Sequence, residues 1–279
     1  METGRASRTA LRVAQRRAIH QVLDQPPVLS DPIAAPLLGP QFTFDPVREA
    51  HRIARAFRAY MAARSRFAED QLASAVARGV EQYVVLGAGL DTFAYRNPHP
   101  SLRVFEVDFP ATQADKRAML AEANIAIPTT LTFVALDFEH HTLADGLAAA
   151  GFDATRPAFF GWLGVVPYLT PTAFRSTLSA IAQFPSGTAI CFDYAVSPAS
   201  LGPLQRMTFE ALAARVAAAG EPFRLFFAPH QLEQELRSAG FNQTQQTTPD
   251  QLNERYFAGR ADGLRLPSPG LGLLATAWV

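Results

Sequence analysis

The sequence has 279 residues, 25 basic and 25 acidic side chains, and a hydrophobic fraction of 48%. This balance argues against a nucleic-acid-binding protein, which needs a concentrated basic face, and against electrostatic binding to anionic membranes. The lone cysteine, Cys191, excludes an intrachain disulfide and a tetrathiolate metal site. No apolar run reaches the roughly 18 residues of a membrane span, and the N-terminus lacks a signal peptide's apolar centre. We therefore expect a cytoplasmic protein without a membrane or nucleic-acid partner.

Helical periodicity dominates the first part of the chain. Apolar side chains recur at helical spacing over residues 7–24 and again, with interruptions, over residues 46–78. A proline-rich passage connects the two segments and is expected to run as turns or extended chain. We predict a helical N-terminal extension or lid over residues 1–78.

From residue 79 onward, short apolar runs alternate with amphipathic segments. The apolar runs are continuous, as expected for strands that are buried on both faces of a parallel sheet. The predicted strands are 82–86, 103–107, 131–136, 158–163, 188–192 and 271–278. The predicted helices are 111–123, 142–150, 171–184, 203–219 and 230–239. This alternation predicts an α/β fold over residues 79–279, with a Rossmann-like, doubly wound and mostly parallel seven-stranded sheet.

The first predicted strand runs directly into a glycine-rich turn, Gly87-Ala88-Gly89. Glycine allows a sharp backbone turn there and lets a ligand approach where a Cβ atom would collide. In open α/β sheets, ligands bind at the carboxyl ends of the strands. Thr92 stands where the dinucleotide-binding fingerprint has its third glycine. Its presence disfavours an NAD site without excluding one.

Acidic residues end the next two predicted strands. Asp108 lies 21 residues after Gly87, where a carboxylate can accept hydrogen bonds from both hydroxyls of a ribose. Asp137 ends the third strand, where it could accept an adenine amino hydrogen, with Phe138 against the base. Gly-x-Gly, Asp and Asp at three successive strand ends together indicate an adenosine-type ligand.

These motifs resemble those of the leucine carboxyl methyltransferase family, which are class I S-adenosylmethionine (SAM) dependent enzymes. The segments that carry the resemblance are 63–67, 87–92, 95–96, 105–110, 168–171 and 252–257, together with Lys116. The resemblance implies that SAM is the cofactor, with S-adenosylhomocysteine as its product, and that residues 79–279 form the SAM-binding methyltransferase domain.

The resemblance also implies roles for individual residues. The implied cofactor-binding residues are Arg64, Gly87, Ala88, Gly89, Asp108, Asp137 and Phe138. The glycines border the methionine part of SAM, Asp108 holds the ribose hydroxyls, and the 137–138 pair contacts adenine. Arg64 reaches the cofactor carboxylate, a contact that the forked guanidinium favours. The chain departs from the family at Leu163, where many relatives carry a glutamate before the glycine, so one polar anchor is missing.

The substrate side carries fewer signals. We expect Tyr194, at the end of the fifth strand, to face the acceptor, and Arg255 and Tyr256 to close over an acidic substrate. Adjacent histidines rarely converge on one ion, so the Glu139-His140-His141 segment does not predict a metal site. Oligomeric state leaves no readable signal in the sequence.

Methyl transfer to a carboxylate needs no general base, whereas transfer to a phenol or alcohol does. Because no histidine stands convincingly at a strand end, no catalytic base is assigned. The preferred hypothesis is a SAM-dependent O-methyltransferase whose acceptor is a small molecule or a peptide. Two alternatives stay open: an NAD-dependent oxidoreductase, and a non-catalytic SAM-binding module that the replacement by Leu163 would permit.

Overall fold

A central β-sheet organises the chain in the computed structural model, which describes residues 8–136, 142–218, 220 and 222–279. The strands within these residues are β1 Gln82–Leu86, β2 Arg103–Asp108, β3 Leu131–Ala135, β4 Phe159–Trp162, β5 Ala189–Ala195, β6 Gln243–Thr247 and β7 Gly272–Trp278. The predictions for Asp137, Phe138 and the adjacent Glu139-His140-His141 segment lie outside the described residues.

The strands are ordered β3-β2-β1-β4-β5-β7-β6. The pairs β3-β2, β2-β1, β1-β4 and β4-β5 are parallel, whereas β7 runs antiparallel to both β5 and β6. The chain order reverses direction between β1 and β4, which is the topological switch point where ligands of such sheets bind. The predicted α/β, doubly wound and mostly parallel seven-stranded sheet is confirmed.

Helices cover both faces of the sheet. The helices of the described residues are α1 Arg8–Leu23, α2 Ala34–Leu37, α3 Pro46–Ala50, α4 Arg52–Ala77, α5 Pro110–Glu122, α6 Leu143–Ala149, α7 Pro171–Ile181, α8 Pro203–Ala217, α9 Pro229–Ala239 and α10 Pro249–Tyr256. One core cluster joins α4 and α10 to the first face. A second cluster joins α6, α7 and α9 to the opposite face. None of the described helices is long and apolar enough to cross a membrane.

The N-terminal helices are held together by buried charges. Arg58 of α4 is 2% exposed and donates from Nε and Nη2 to the carboxylate of Asp24, at 2.7 and 3.0 Å. His20 Nε2 accepts the Val28 N–H at 2.9 Å, so its Nδ1 carries the proton that is donated to Asp24. Glu49 of α3 accepts from Arg58 Nη1 at 3.2 Å. These charges fix α1 and α3 against α4, whose Arg64 lies further along the same helix.

Candidate functional site

The turn after β1 needs glycine for two separate reasons. Gly87 and Gly89 adopt φ angles of +66° and +47°, a region that L side chains rarely occupy. A Cβ atom on Gly87 would also lie 2.5 Å from Cγ2 of Val165, which follows β4. The Gly87 and Ala88 N–H groups both donate to the carbonyl oxygen of Val107, at 2.8 and 3.1 Å, and so attach the turn to β2. The structure therefore holds this turn tightly between β2 and the loop after β4.

Asp108, at the end of β2, lies directly beside this turn. Its Oδ2 accepts the Gly89 N–H, and its Oδ1 accepts the Phe109 N–H at 2.7 Å. Burial raises the pKa of the carboxyl group, although these two N–H donors oppose the shift. A carboxylate offers about four acceptor positions. The Thr112 hydroxyl also bonds this one, so about two positions are available to a sugar once that rotatable hydroxyl turns away. This arrangement fits the predicted ribose-binding role.

A second group of polar side chains lies at the ends of β4 and β5. Arg64 of α4 donates from Nη1 to Oδ2 of Asp193, the fifth residue of β5, at 3.0 Å. Asp193 Oδ1 accepts the N–H of Gly164, and the Tyr60 hydroxyl lies 3.5 Å from Oδ2. Burial opposes the charged form of the arginine, yet the Asp193 carboxylate raises its pKa. Arg64 is therefore a buried cation at the same edge of the sheet as the glycine turn.

The Arg64 side chain has a donor that no described residue satisfies. Its Nε–H is buried and has no hydrogen-bond partner within the described part of the chain. A buried donor without a partner is rare in native proteins and calls for a ligand or a water molecule. The donor chemistry suits a carboxylate, the group that the resemblance assigns to Arg64.

The N-terminal extension lies over the glycine turn. Arg17 of α1 donates from Nη2 to the carbonyl oxygen of Leu90, directly after the turn. A Cβ atom on Gly89 would lie 3.1 Å from Cβ of Ala10, also on α1. Helix α1 thus covers one side of the strand end at which the cofactor residues were predicted.

A buried ion pair supports the same part of the sheet. Lys116 of α5 donates to Glu106 Oε2 of β2 at 2.6 Å, and each side chain is 1% exposed. Burial raises the pKa of Glu106 to about 7, against the opposing effect of Lys116. The Lys116 ammonium lies 5.3 Å from the centre of the Tyr95 ring. This pair shares a face of β2 with Asp108, because residues two apart on a strand point the same way.

The structure does not bring the predicted substrate residue Tyr194 to this group. Its neighbour Asp193 faces α4, so Tyr194 points to the opposite face of the sheet. There its side chain is 1% exposed, packs in the second core cluster and donates to Oε1 of Gln246 on β6. The pleat of β5 thus places Asp193, and not Tyr194, beside Arg64, and the role of Tyr194 toward the acceptor stays a prediction.

Arg255 and Tyr256 are also placed away from the glycine turn. Both donate to Oδ2 of Asp70, at 2.8 Å each. Asp70 lies six residues beyond Arg64 on α4, about 9 Å further along the helix axis toward the amino edge of the sheet. In this structure the two side chains connect α10 to α4 rather than meeting the residues predicted to hold the cofactor.

Asp193 and Tyr60 belong to the polar group around Arg64, but the sequence analysis did not include them in the predicted site. The acid at the end of β5 is visible in the sequence, but a strand that is apolar on both faces does not reveal which of two neighbours faces the ligand. Tyr60 is four residues before Arg64, the spacing that places two side chains on one helix face. That spacing is the signal that could have identified it. No group of three potential metal ligands occurs within the described residues.

Comparison with known proteins gives one family. The family model described as leucine carboxyl methyltransferase matches residues 10–182. A Bacillus subtilis protein named "Putative S-adenosyl-L-methionine-dependent methyltransferase YktD" is 38% identical over 205 residues, covering 72% of this chain and 67% of that protein. A Mycolicibacterium smegmatis protein with a similar name is 38% identical over 192 residues, covering 63% of this chain and 62% of that protein.

Among solved structures, a DUF574 family protein from Streptomyces avermitilis aligns with a TM-score of 0.57. The alignment covers 96% of both chains at 18% sequence identity. At this level of identity the likeness shows a shared fold.

Proposed function

This chain belongs to the leucine carboxyl methyltransferase family of SAM-dependent methyltransferases, and we propose that it methylates a carboxylate oxygen of a small molecule or a peptide. The family and the SAM cofactor predicted from the sequence are confirmed, and they favour SAM over NAD as the nucleotide. The proposal about the acceptor depends on one observation: the buried ionisable groups near the glycine turn, and the described histidines, are unsuited to act as a general base.

Four such groups are either engaged or kept protonated. Glu106, whose pKa is about 7, is 1% exposed and accepts from Lys116, so an acceptor cannot reach it. Asp193 is 6% exposed and is contacted by three donors, Arg64 Nη1, the Gly164 N–H and the Tyr60 hydroxyl. Burial raises the pKa of the Tyr60 hydroxyl well above its ordinary value, and Asp193 adds to the shift. Burial also raises the pKa of the Cys191 thiol to about 12. At neutral pH the tyrosine and the cysteine stay protonated and cannot remove a proton from an acceptor.

The described histidines do not fill this role either. Both ring nitrogens of His20 are engaged, by Asp24 and by backbone N–H groups. His99 precedes the amino end of β2, at the edge of the sheet opposite the glycine turn. His51 and His230 are exposed at the beginnings of helices. An acceptor that is already anionic is therefore the class that this site supports best.

The remaining requirements of the reaction are to bind the cofactor and to orient it, and the residues described above would meet them. SAM supplies an electrophilic methyl group on a sulfonium, whose transfer to a carboxylate cancels two opposite charges. Asp108 would hold the ribose, the Gly87-Ala88-Gly89 turn would border the methionine part, and Arg64 would bind its carboxylate. Their task is to align donor and acceptor and to exclude water.

The acceptor class can be tested by the stability of the product. The purified protein is incubated with methyl-tritiated SAM and fractionated small acids or peptides, and the labelled fraction is then treated with alkali. We expect the label to be released as volatile methanol, because esters hydrolyse in base whereas aryl or alkyl ethers and methylamines do not. Label that survives alkali would contradict a carboxylate acceptor. Tight S-adenosylhomocysteine binding without label in any fraction would instead favour the non-catalytic module.

A further inference from the structure

We propose that Asp193 is a positioning residue for the cofactor: it holds Nη1 of Arg64 so that the Nε edge of the guanidinium is presented to the amino-acid carboxylate of SAM. The inference rests on the SAM site and not on the identity of the methyl acceptor. It assigns a role to an acid of β5 that is remote in sequence from the glycine turn.

The contacts of Asp193 join three separate elements. Oδ1 accepts the Gly164 N–H from the loop after β4, and Oδ2 accepts Nη1 of Arg64 from α4 at 3.0 Å. The Tyr60 hydroxyl, one helical turn before Arg64, lies 3.5 Å from the same Oδ2. Asp193 is 6% exposed and Arg64 is 5% exposed, so the pair is nearly closed to solvent. One carboxylate thus fixes the guanidinium relative to two strand ends.

Gly164 makes the close approach of the guanidinium possible. Its φ is +72°, and a Cβ atom there would lie 3.0 Å from Nη1 and 3.3 Å from Nη2 of Arg64. The guanidinium therefore lies against the backbone of Gly164 in the loop after β4, where a larger residue would leave too little room for it. A long, flexible arginine is held in one place by packing on one side and by a charged partner at one nitrogen.

The Nε edge of the Arg64 guanidinium has donors available to a ligand. The group is planar and carries five N–H donors in a fixed geometry, so Nε–H and one Nη2–H point in the same direction. Asp193 occupies Nη1, and the buried Nε–H has no partner among the described residues. This pair of parallel donors matches the two oxygens of a carboxylate. The amino-acid end of SAM supplies such a carboxylate, and Asp193 is the residue that orients the fork toward it.

The test compares two ligands that share a nucleoside. S-adenosylhomocysteine carries the amino-acid carboxylate, whereas 5′-methylthioadenosine lacks it. Calorimetric titration of Asp193→Asn should show S-adenosylhomocysteine binding weakened about 10-fold, the effect of impairing one charge-assisted contact. Methylthioadenosine affinity should stay unchanged. Asparagine retains an oxygen for the Gly164 N–H, so the fold has a near-isosteric substitute.

A double-mutant comparison separates positioning from general damage. Arg64→Met should weaken S-adenosylhomocysteine more than Asp193→Asn does, and Asp193→Asn should add no further loss once Arg64 is methionine. Asp70→Asn is the matched control, since it removes another arginine-paired aspartate associated with α4 and should affect neither ligand. Melting temperatures of all variants report on folding.

Three outcomes would overturn the assignment: unchanged S-adenosylhomocysteine affinity in Asp193→Asn, an equal loss for both ligands, or fully additive losses in the double mutant. Because no acceptor is present, these outcomes leave the proposed carboxylate methylation to be judged by the alkali test alone.

Discussion

Replacing Asp108 by alanine tests the cofactor site most directly. In the structure two of the roughly four acceptor positions of this carboxylate are used by the Gly89 and Phe109 N–H groups, and a third is shared with the rotatable Thr112 hydroxyl, which a ligand can displace. The other two are the ones expected to bind the ribose hydroxyls. Hydrogen bonds to charged groups contribute about 1.5–3 kcal/mol each, so losing two weakens binding by about 3 kcal/mol or more. That corresponds to a roughly 100-fold or greater loss of affinity.

The same substitution also removes an acceptor from the turn itself. Leaving the two backbone N–H groups without their carboxylate costs about 1–3 kcal/mol of folding free energy for each group that water does not reach. For a chain of this size, this lowers the melting temperature by several degrees, at about 2–4 °C per kcal/mol. Binding and stability must therefore be measured separately, by titration of S-adenosylhomocysteine at a temperature where each variant is folded, and by thermal unfolding without ligand.

Asp153 provides the matched control. Its Oδ1 accepts the Thr155 N–H at 2.9 Å, and its own N–H donates to Gln82, the first residue of β1. It thus lies at the amino edge of the sheet, opposite the glycine turn. Asp153→Ala should lower stability slightly and leave S-adenosylhomocysteine affinity unchanged. If Asp108→Ala binds the ligand as tightly as the wild type, the ribose assignment is wrong.

Three further substitutions test the surrounding structure. Gly87→Ala should cost about 1–2 kcal/mol in backbone strain and weaken S-adenosylhomocysteine binding. Adding Val165→Ala should relieve only the clash between the new methyl group and Val165, and not the backbone strain. Thermal unfolding and ligand titration measure the two effects. Burial opposes ionisation of Asp24, yet its histidine and arginine partners lower its pKa from 3.8 to about 2. Asp24→Asn should therefore lose about 2 kcal/mol at neutral pH, and the difference in urea denaturation should shrink as the pH falls from about 4 to about 2. Glu106 has a pKa raised from 4.5 to about 7. In the pH window between these two values the native state therefore holds a proton that the unfolded state has released. The wild type should then lose stability relative to Glu106→Gln as the pH rises through it; parallel curves would contradict the shift.

The sheet was predictable from the sequence because its central strands are buried on both faces. The six strands located by their apolar runs all occur in the structure, and β1 has the predicted bounds. The strand that was not located is β6, whose residues are glutamine and threonine alone. It pairs with β7 at the edge of the described sheet and has half-exposed side chains. An edge strand of this kind has no apolar pattern to read.

The helix boundaries were limited by signals that act over one or two residues. The predicted helical region 46–78 is divided into α3 and α4 by His51, whose ψ of 141° is extended. Asp45 caps α3 by accepting the Val47 N–H at 2.9 Å. No proline or glycine marks the break, so periodicity alone could not place it. Helix α10 was missed because it is only eight residues long and strongly polar.

The site was predictable where backbone conformation and strand ends define it, and less so where side-chain direction does. Gly87, Gly89 and Asp108 lie together as the strand order requires. By contrast, Asp193 and Tyr194 differ by one residue, and the face that each occupies is set by the pleat of β5. In a strand whose seven residues are all buried, neither hydropathy nor spacing distinguishes the two faces.

Thr92 shows why a missing glycine separates this strand end from a dinucleotide site. In the dinucleotide fingerprint the third glycine allows close packing of a helix whose N-terminus binds the pyrophosphate. Here β1 is followed by a short 3-10 turn, Phe93–Arg96, so there is no such helix to pack. The Thr92 hydroxyl instead donates to the fully buried Asp31 at 2.7 Å, and Arg17 of α1 lies 3.2 Å from the same carboxylate. Position 92 thus attaches the N-terminal segment to the turn instead of opening a helix N-terminus to a pyrophosphate, which favours a cofactor without phosphate groups at this strand end.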